Sequence, residues 1–193
     1  MYDFLTPEIK PIITASILKH AEGEKLFSPS QDITLKVSGV NSEFASTFEI
    51  GVPVGFDVGA HFHKRTEELF YVTSGKLLFM AFEPVEYTDN WFDWVGPNGE
   101  RPVICEAGTL IHVPNYTPHA FANISNETAR MVFQASPPPD HEEYFKGLIE
   151  ILNSNSVVDS KSIEALRKKH DVHQITKLRF LDGHDTPDEK NFQ

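Results

Sequence analysis

From Asp32 onward the chain alternates between apolar and polar residues. Ile33, Leu35 and Val37 share one phase, and Phe44, Ser46, Phe48 and Ile50 share the next. Runs of the same kind cover 69–73, 76–82, 102–106, 109–113, 119–124 and 130–135, with Gly and Asn between them. Many short strands separated by turn residues predict a β-sandwich or barrel. After Pro137-Pro138-Pro139 the period becomes helical. Asp140 is placed as an N-cap, and Tyr144, Phe145, Leu148, Ile151 and Leu152 recur at helical spacing. A second helix is predicted from near Asp159 to Lys169, with Ile163 and Leu166 inward. The expected organisation is an N-terminal arm over 1–30, a barrel over 31–136, a helical extension over 137–180 and a flexible tail over 181–193. No internal repeat is present, so a single barrel is expected.

Composition narrows the partners. The 193 residues fit one domain, and 40% hydrophobic content supplies a core. A net charge of −11 argues against nucleic acid, whose phosphates call for a basic patch. Arg167-Lys168-Lys169 reads as a helix end whose cations complement the dipole. No run approaches the ~20 apolar residues of a membrane span. The N-terminus lacks a basic start followed by an apolar run. With the single Cys105, which permits a reducing compartment, this gives an expected cytoplasmic location. Cys105 lies in an apolar run and reads as a core residue rather than a nucleophile. Two amphipathic helices and an aromatic loop exceed what one barrel needs for cover, so a homodimer is expected.

Thirty-two residues separate Gly75 from Gly108, more than two strands and a hairpin need. The surplus, 84–100, holds both tryptophans. It reads either as a lid or substrate wall, or as a loop packed on the barrel exterior or in a dimer contact.

The candidate chemistry lies in two clusters. His61 and His63 are two apart, so on a strand they share a face. Glu68 opens the next apolar run beyond a polar step, and a chain reversal there returns it beside the histidines. Glu67 is the rival ligand, but Glu68 is in phase with Phe70 and Val72 on the inward face. A second cluster runs from Gly108 to Asn123 and carries His119. Imidazoles with one carboxylate and no thiolate suit a first-row divalent metal with open positions, among Fe, Mn, Ni, Co, Cu and Zn. His112 lies in the second cluster at the opposite phase to Thr109, Ile111 and Val113. His20, His141, His170, His173 and His184 lack partner spacing and are not placed at the site. Phe48, Phe56, Phe70, Phe79, Phe121 and Phe133 are assigned inward as walls of an apolar substrate pocket.

The clusters resemble the paired motifs of the cupin superfamily. Gly55, His61, His63, Glu68 and Gly75 match every fixed position of the first. Gly108, Pro114, His119 and Asn123 match the second, which departs at Tyr116, where the family usually has glycine. The resemblance implies a double-sheet β-barrel of jelly-roll type and one divalent metal on His61, His63, Glu68 and His119. Glu-Leu-Phe-Tyr-Val-Thr-Ser-Gly at 68–75, the chain length and the helical tail are most similar to single-barrel quercetin 2,3-dioxygenase-like proteins. That likeness implies a small enolic aromatic or flavonol-like substrate, O2 as co-substrate, and Glu68 as both ligand and catalytic proton acceptor. The base role calls for a raised carboxylate pKa or a loosened metal bond. Rival readings are a non-oxidative isomerase, lyase or decarboxylase, and a binding protein without turnover.

Overall fold

Strand pairing follows the alternation. The structure, a computed structural model, describes residues 15–28, 31–138, 140–154, 160–182 and 185–192. Eleven strands precede the helices: β1 Glu24–Ser28, β2 Gln31–Val37, β3 Ser46–Val52, β4 Phe56–Asp57, β5 His61–Phe62, β6 Glu67–Ser74, β7 Lys76–Ala81, β8 Val103–Glu106, β9 Leu110–Val113, β10 His119–Ala122 and β11 Ala129–Ser136. Helices α1 (Asp140–Asn153) and α2 (Ser160–Lys169) follow, then the short β12 (His173–Gln174) and β13 (Arg179–Phe180). One sheet has the order β1-β2-β3-β11-β6-β9. The other runs β12-β5-β10-β4-β13, with β7 joining β10 to β8.

All pairs are antiparallel, and the inward phase is the predicted one. Ile33, Phe48, Ile50, Phe70, Val72, Phe79, Met131 and Phe133 meet between the sheets. Burying this apolar surface is the main stabilising term of the barrel. No helix among the described residues is long and apolar enough to cross a membrane.

Several expectations need correction. Glu24–Ser28 falls within the presumed N-terminal arm, yet it pairs with β2 residue for residue. Its two apolar residues, Leu26 and Phe27, are adjacent and show no alternation to signal a strand. Phe44 precedes β3 and is 79% exposed rather than inward. Strands of two residues, such as β5 and β12, carry no periodicity that a sequence could show. Part of the presumed tail is ordered: Glu189–Phe192 forms a turn of 3-10 helix, and Lys76 Nζ donates to Glu189 Oε1 at 2.5 Å. Residues 1–14, Asp159 and His184 lie outside the described residues.

The 84–100 loop packs on the barrel exterior. Trp91, Phe92 and Trp94 bury against Leu78, Met80, Ala120 and Ala122 on the outer face of the second sheet. Trp91 Nε1 donates to buried Asp57 Oδ1 at 2.9 Å, and Arg179 Nε donates to the other Asp57 oxygen at 2.9 Å. The indoles therefore shield one sheet and do not line the interior cavity.

Helix α1 lies over the barrel, and its apolar stripe of Tyr144, Phe145 and Leu148 closes the interior. Acidic residues in its first turn complement the helix dipole. Buried Glu142 also accepts hydrogen bonds from Ser46 Oγ and, at 2.5 Å, from Gly39 N.

Candidate metal centre

Three strands bring the cluster together. His119 of β10 pairs directly with His61 of β5, so both rings point inward from one rung, with centroids 4.3 Å apart. His63 follows two residues after His61 on the same face. Glu68 enters from β6 in the opposite sheet, where it pairs with Ala135 and Val113. Glu68 is 2% exposed, whereas Glu67 faces outward and accepts from His112 Nε2 at 2.9 Å. The pleat thus decides between the two glutamates, and it places exposed His112 outside the cavity.

Turns with constrained backbone hold these strands in place. Gly59 has φ +72°, and a Cβ there would meet Thr176 O at 2.6 Å. Only glycine fits so close to another backbone. Tyr116 takes φ +64° at the position where a glycine was expected. The tight turn therefore forms without glycine, and Tyr116 N donates to His63 O at 2.6 Å. Asn123, fully buried, donates to Val52 O and Glu127 O at 2.8 Å each, closing the second motif.

Each of the three histidines is oriented through Nδ1. His61 Nδ1 meets Gly59 O at 2.8 Å, His63 Nδ1 meets Asp171 O at 2.9 Å, and His119 Nδ1 meets Thr117 O at 2.9 Å. A carbonyl only accepts, so each Nδ1 donates and each Nε2 faces the centre, where it offers a lone pair once that nitrogen is free of a proton. One ligand atom from each of His61, His63, Glu68 and His119 lies within 4.8 Å of the others.

That donor set fits a cation. His63 Nε2 is 3.2 Å from Glu68 Oε1, and His119 Nε2 is 2.8 Å from Glu68 Oε2. Even so, His63 Nε2, His119 Nε2 and Glu68 Oε2 are buried without an aligned hydrogen bond. All three atoms face the same central space without a partner that satisfies them. Orphaned buried acceptors are costly, and a divalent ion relieves all of them at once.

The electrostatics agree. Burial, then His119 and His63, push the His61 pKa well below 6.5, so this ring stays neutral. Burial works against a charged His63, but Glu68 and the Asp171 carbonyl raise its pKa overall. Burial also favours neutral Glu68, yet the imidazoles of His63 and His119 hold its carboxyl well below the usual range. This direction is opposite to the raised pKa that is one of the two routes to a base role for Glu68, the other being a loosened metal bond.

The C-terminal segment contributes more than its place in the sequence suggested. His141, set aside by spacing, is 5% exposed and brings Nε2 to 2.9 Å from Glu68 Oε1. Its Nδ1 has no partner, and burial lowers its pKa, so it is a neutral ring with a free lone pair. Asp171 orients His63 through its carbonyl, and its carboxylate accepts from Lys64 N and Arg65 N at 3.0 and 2.7 Å. Arg167, read as one of the cations at a helix end, is 7% exposed and lines the cavity. The sequence does hold a signal for both. His141 continues the α1 stripe at i+3, i+4 and i+7 to Tyr144, Phe145 and Leu148, and Arg167 lies four residues after Ile163.

The cavity adjoins His61, His63 and Glu68 and measures about 70 Å³. Of the six assigned phenylalanines, Phe56, Phe70, Phe121 and Phe133 line it. Phe48 and Phe79 do not. Phe48 stacks behind Phe133 at 5.6 Å between centroids, and Phe79 behind Phe70 at 5.1 Å and Phe121 at 5.8 Å. They share the inward phase but sit one layer deeper.

A double-sheet antiparallel barrel with three imidazoles and a carboxylate inside is an architecture that could hold a metal ion. The cupin family profile matches residues 34–162, two thirds of the chain, and this protein belongs to the cupin family. An uncharacterised protein of Methanocaldococcus jannaschii is 26% identical over 139 residues, covering 70% of this chain and 86% of that one. KdgF from Halomonas sp. is similar in structure with a TM-score of 0.45 at 15% identity, over 60% of this chain and 87% of that one. The polyketide cyclase RemF from Streptomyces resistomycificus gives 0.43 at 19% identity, over 61% and 72%. A predicted oxalate decarboxylase from Thermotoga maritima gives 0.43 at 18%, over 55% and 79%. At this level of likeness, none of these chemistries bears on the reaction here.

Proposed function

We propose that this cupin is a metal-dependent dioxygenase of quercetin 2,3-dioxygenase-like type, acting on a compact enolic aromatic. The observation that carries the reading is the convergence of Nε2 lone pairs and Glu68 beside an apolar, aromatic-walled cavity. His61, His63, Glu68 and His119 would hold one divalent ion, which when bound supplies a Lewis-acidic site for an anionic substrate oxygen. The cavity of about 70 Å³ has room for about five to seven waters at ~10–15 Å³ each. That space suits one aromatic ring. A three-ring flavonol calls for α1 to move.

In this reading His141 is the base. Its Nε2–H donates to Glu68 Oε1, which fixes the tautomer and leaves Nδ1 to take the enol proton. Glu68, held ionised, orients His141 and completes the ligand set. Phe56, Phe70, Phe121 and Phe133 exclude water and stack the ring. Both atoms of dioxygen enter the product, so no external reductant is required.

The test is oxygen uptake by metal-loaded protein with a panel of one-ring enolic aromatics. Uptake of one O2 per substrate consumed supports the reading. Turnover without oxygen uptake contradicts it and favours the non-oxidative enzyme, which needs the same ligands and the same base.

A further inference from the structure

Arg167 stands apart from the other paired arginines. Arg65, Arg130 and Arg179 each meet a carboxylate, Asp140, Asp32 and Asp57 respectively. Arg167 is the most buried of the four, yet it pairs with no carboxylate among the described residues. Its partners are neutral: Nε donates to Tyr144 Oη at 3.3 Å, and Nη1 donates to Gln174 Oε1. A guanidinium carries five N–H donors, and among the described residues only Nε and one Nη1–H are engaged. It lines the same cavity as His61, His63 and Glu68, whose other walls are mostly apolar. A buried, uncompensated charge is costly to fold around. The helix dipole does not explain it, because exposed Lys168 and Lys169 already serve the end of α2.

We propose that Arg167 anchors a carboxylate of the substrate, so that the site takes a one-ring aromatic acid. This rests on the metal-enzyme reading above for the other end of the substrate. The planar fork of arginine matches a carboxylate through two parallel hydrogen bonds. A single cation favours a monoanion over a phosphate dianion. Tyr144 and Gln174 hold the fork in place from α1 and β12, leaving the second Nη1–H and Nη2 to take the two carboxylate oxygens.

Benzoate and its neutral isostere benzamide are the probes, titrated calorimetrically into wild-type and Arg167→Met protein, each metal-free and metal-loaded. Wild type is expected to prefer benzoate by about 10–100-fold in both states, the range of a charge-assisted pair. Arg167→Met is expected to bring the ratio to about one while benzamide affinity holds. No preference in the metal-free wild type overturns the proposal. A preference that appears only with metal and survives Arg167→Met also overturns it, leaving the metal reading intact. A protein that binds no metal but shows the Arg167-dependent preference sinks the metal reading and keeps this one. If Arg167→Met does not fold, the wild-type Nε–H signal of Arg167 decides, assigned by its loss in Arg167→Lys. It should move on adding benzoate and stay on adding benzamide. The same shift with both probes, or with neither, overturns the proposal.

Discussion

His141 Nε2 lies 2.9 Å from Glu68 Oε1, joining the first turn of α1 to the inward face of β6 across 73 residues of chain. The contact makes the helix part of the site, because the residue that caps the barrel also touches a ligand. If His141 is the base, His141→Ala should keep one metal per chain and lower turnover by ~10²–10⁴-fold. Loss of this partner should weaken metal affinity by no more than ~10–100-fold. Metal analysis and oxygen uptake on the same preparation check both. Unchanged turnover returns the base role to Glu68.

Metal affinity should fall as the pH is lowered from 7.5 to 6.5. The His63 pKa is raised above 6.5 by Glu68 and the Asp171 carbonyl, so in the metal-free protein protons compete for this ring at higher pH than for a free imidazole and must leave before metal binds. His61 and Glu68 are lowered, so they hold no competing proton there. Dissociation constants measured at half-unit steps in pH report the slope. A flat profile down to pH 6.5, followed by a fall only below it, contradicts the account.

Tyr116→Gly should stabilise the protein by about 0.5–1 kcal/mol. The left-handed conformation at φ +64° costs a non-glycine residue ~1–2 kcal/mol, offset in part by the greater unfolded-state entropy of glycine. Tyr116 is 61% exposed, so little burial is lost. Urea unfolding should show a higher midpoint with the same slope and unchanged metal content. A lower midpoint means that the Tyr116 ring holds something beyond the turn.

The barrel and the four residues of the candidate metal centre were legible because they depend on short-range order. Alternation shows which face of a strand is inward, and His61, His63 and Glu68 fall within one reversal of the chain. Glu68 over Glu67 followed from its spacing to Gly75 and its phase with Phe70 and Val72. His141, Asp171 and Arg167 were not found, because each reaches the site through packing of the helical segment onto the barrel. Their apolar neighbours, Tyr144 and Ile163, marked the inward stripes, but His141 was read by its lack of partner spacing and Arg167 by its charge, not by their place on those stripes. Phe48 and Phe79 show the converse limit, since phase gives direction and not depth.

Cys105 should resist alkylation in the folded protein. It is 4% exposed, and burial pushes its thiol up to about 11. At pH 8 this leaves on the order of 0.1% thiolate, the reactive form. Iodoacetamide should label the chain fully in denaturing urea and leave it unlabelled without urea. Rapid labelling of native protein would show that the barrel opens at β8.

The most direct test of the central claim is metal stoichiometry in single-histidine variants. Wild type, His61→Ala, His119→Ala and His112→Ala are purified without a histidine tag, loaded with a divalent ion, desalted and analysed for metal. One ion per chain is expected in wild type and His112→Ala, because His112 pairs with Glu67 outside the cavity. His61→Ala and His119→Ala should retain little, since each removes an Nε2 donor from the cluster. Full metal content in His61→Ala or His119→Ala, or its loss in His112→Ala alone, would contradict the assignment.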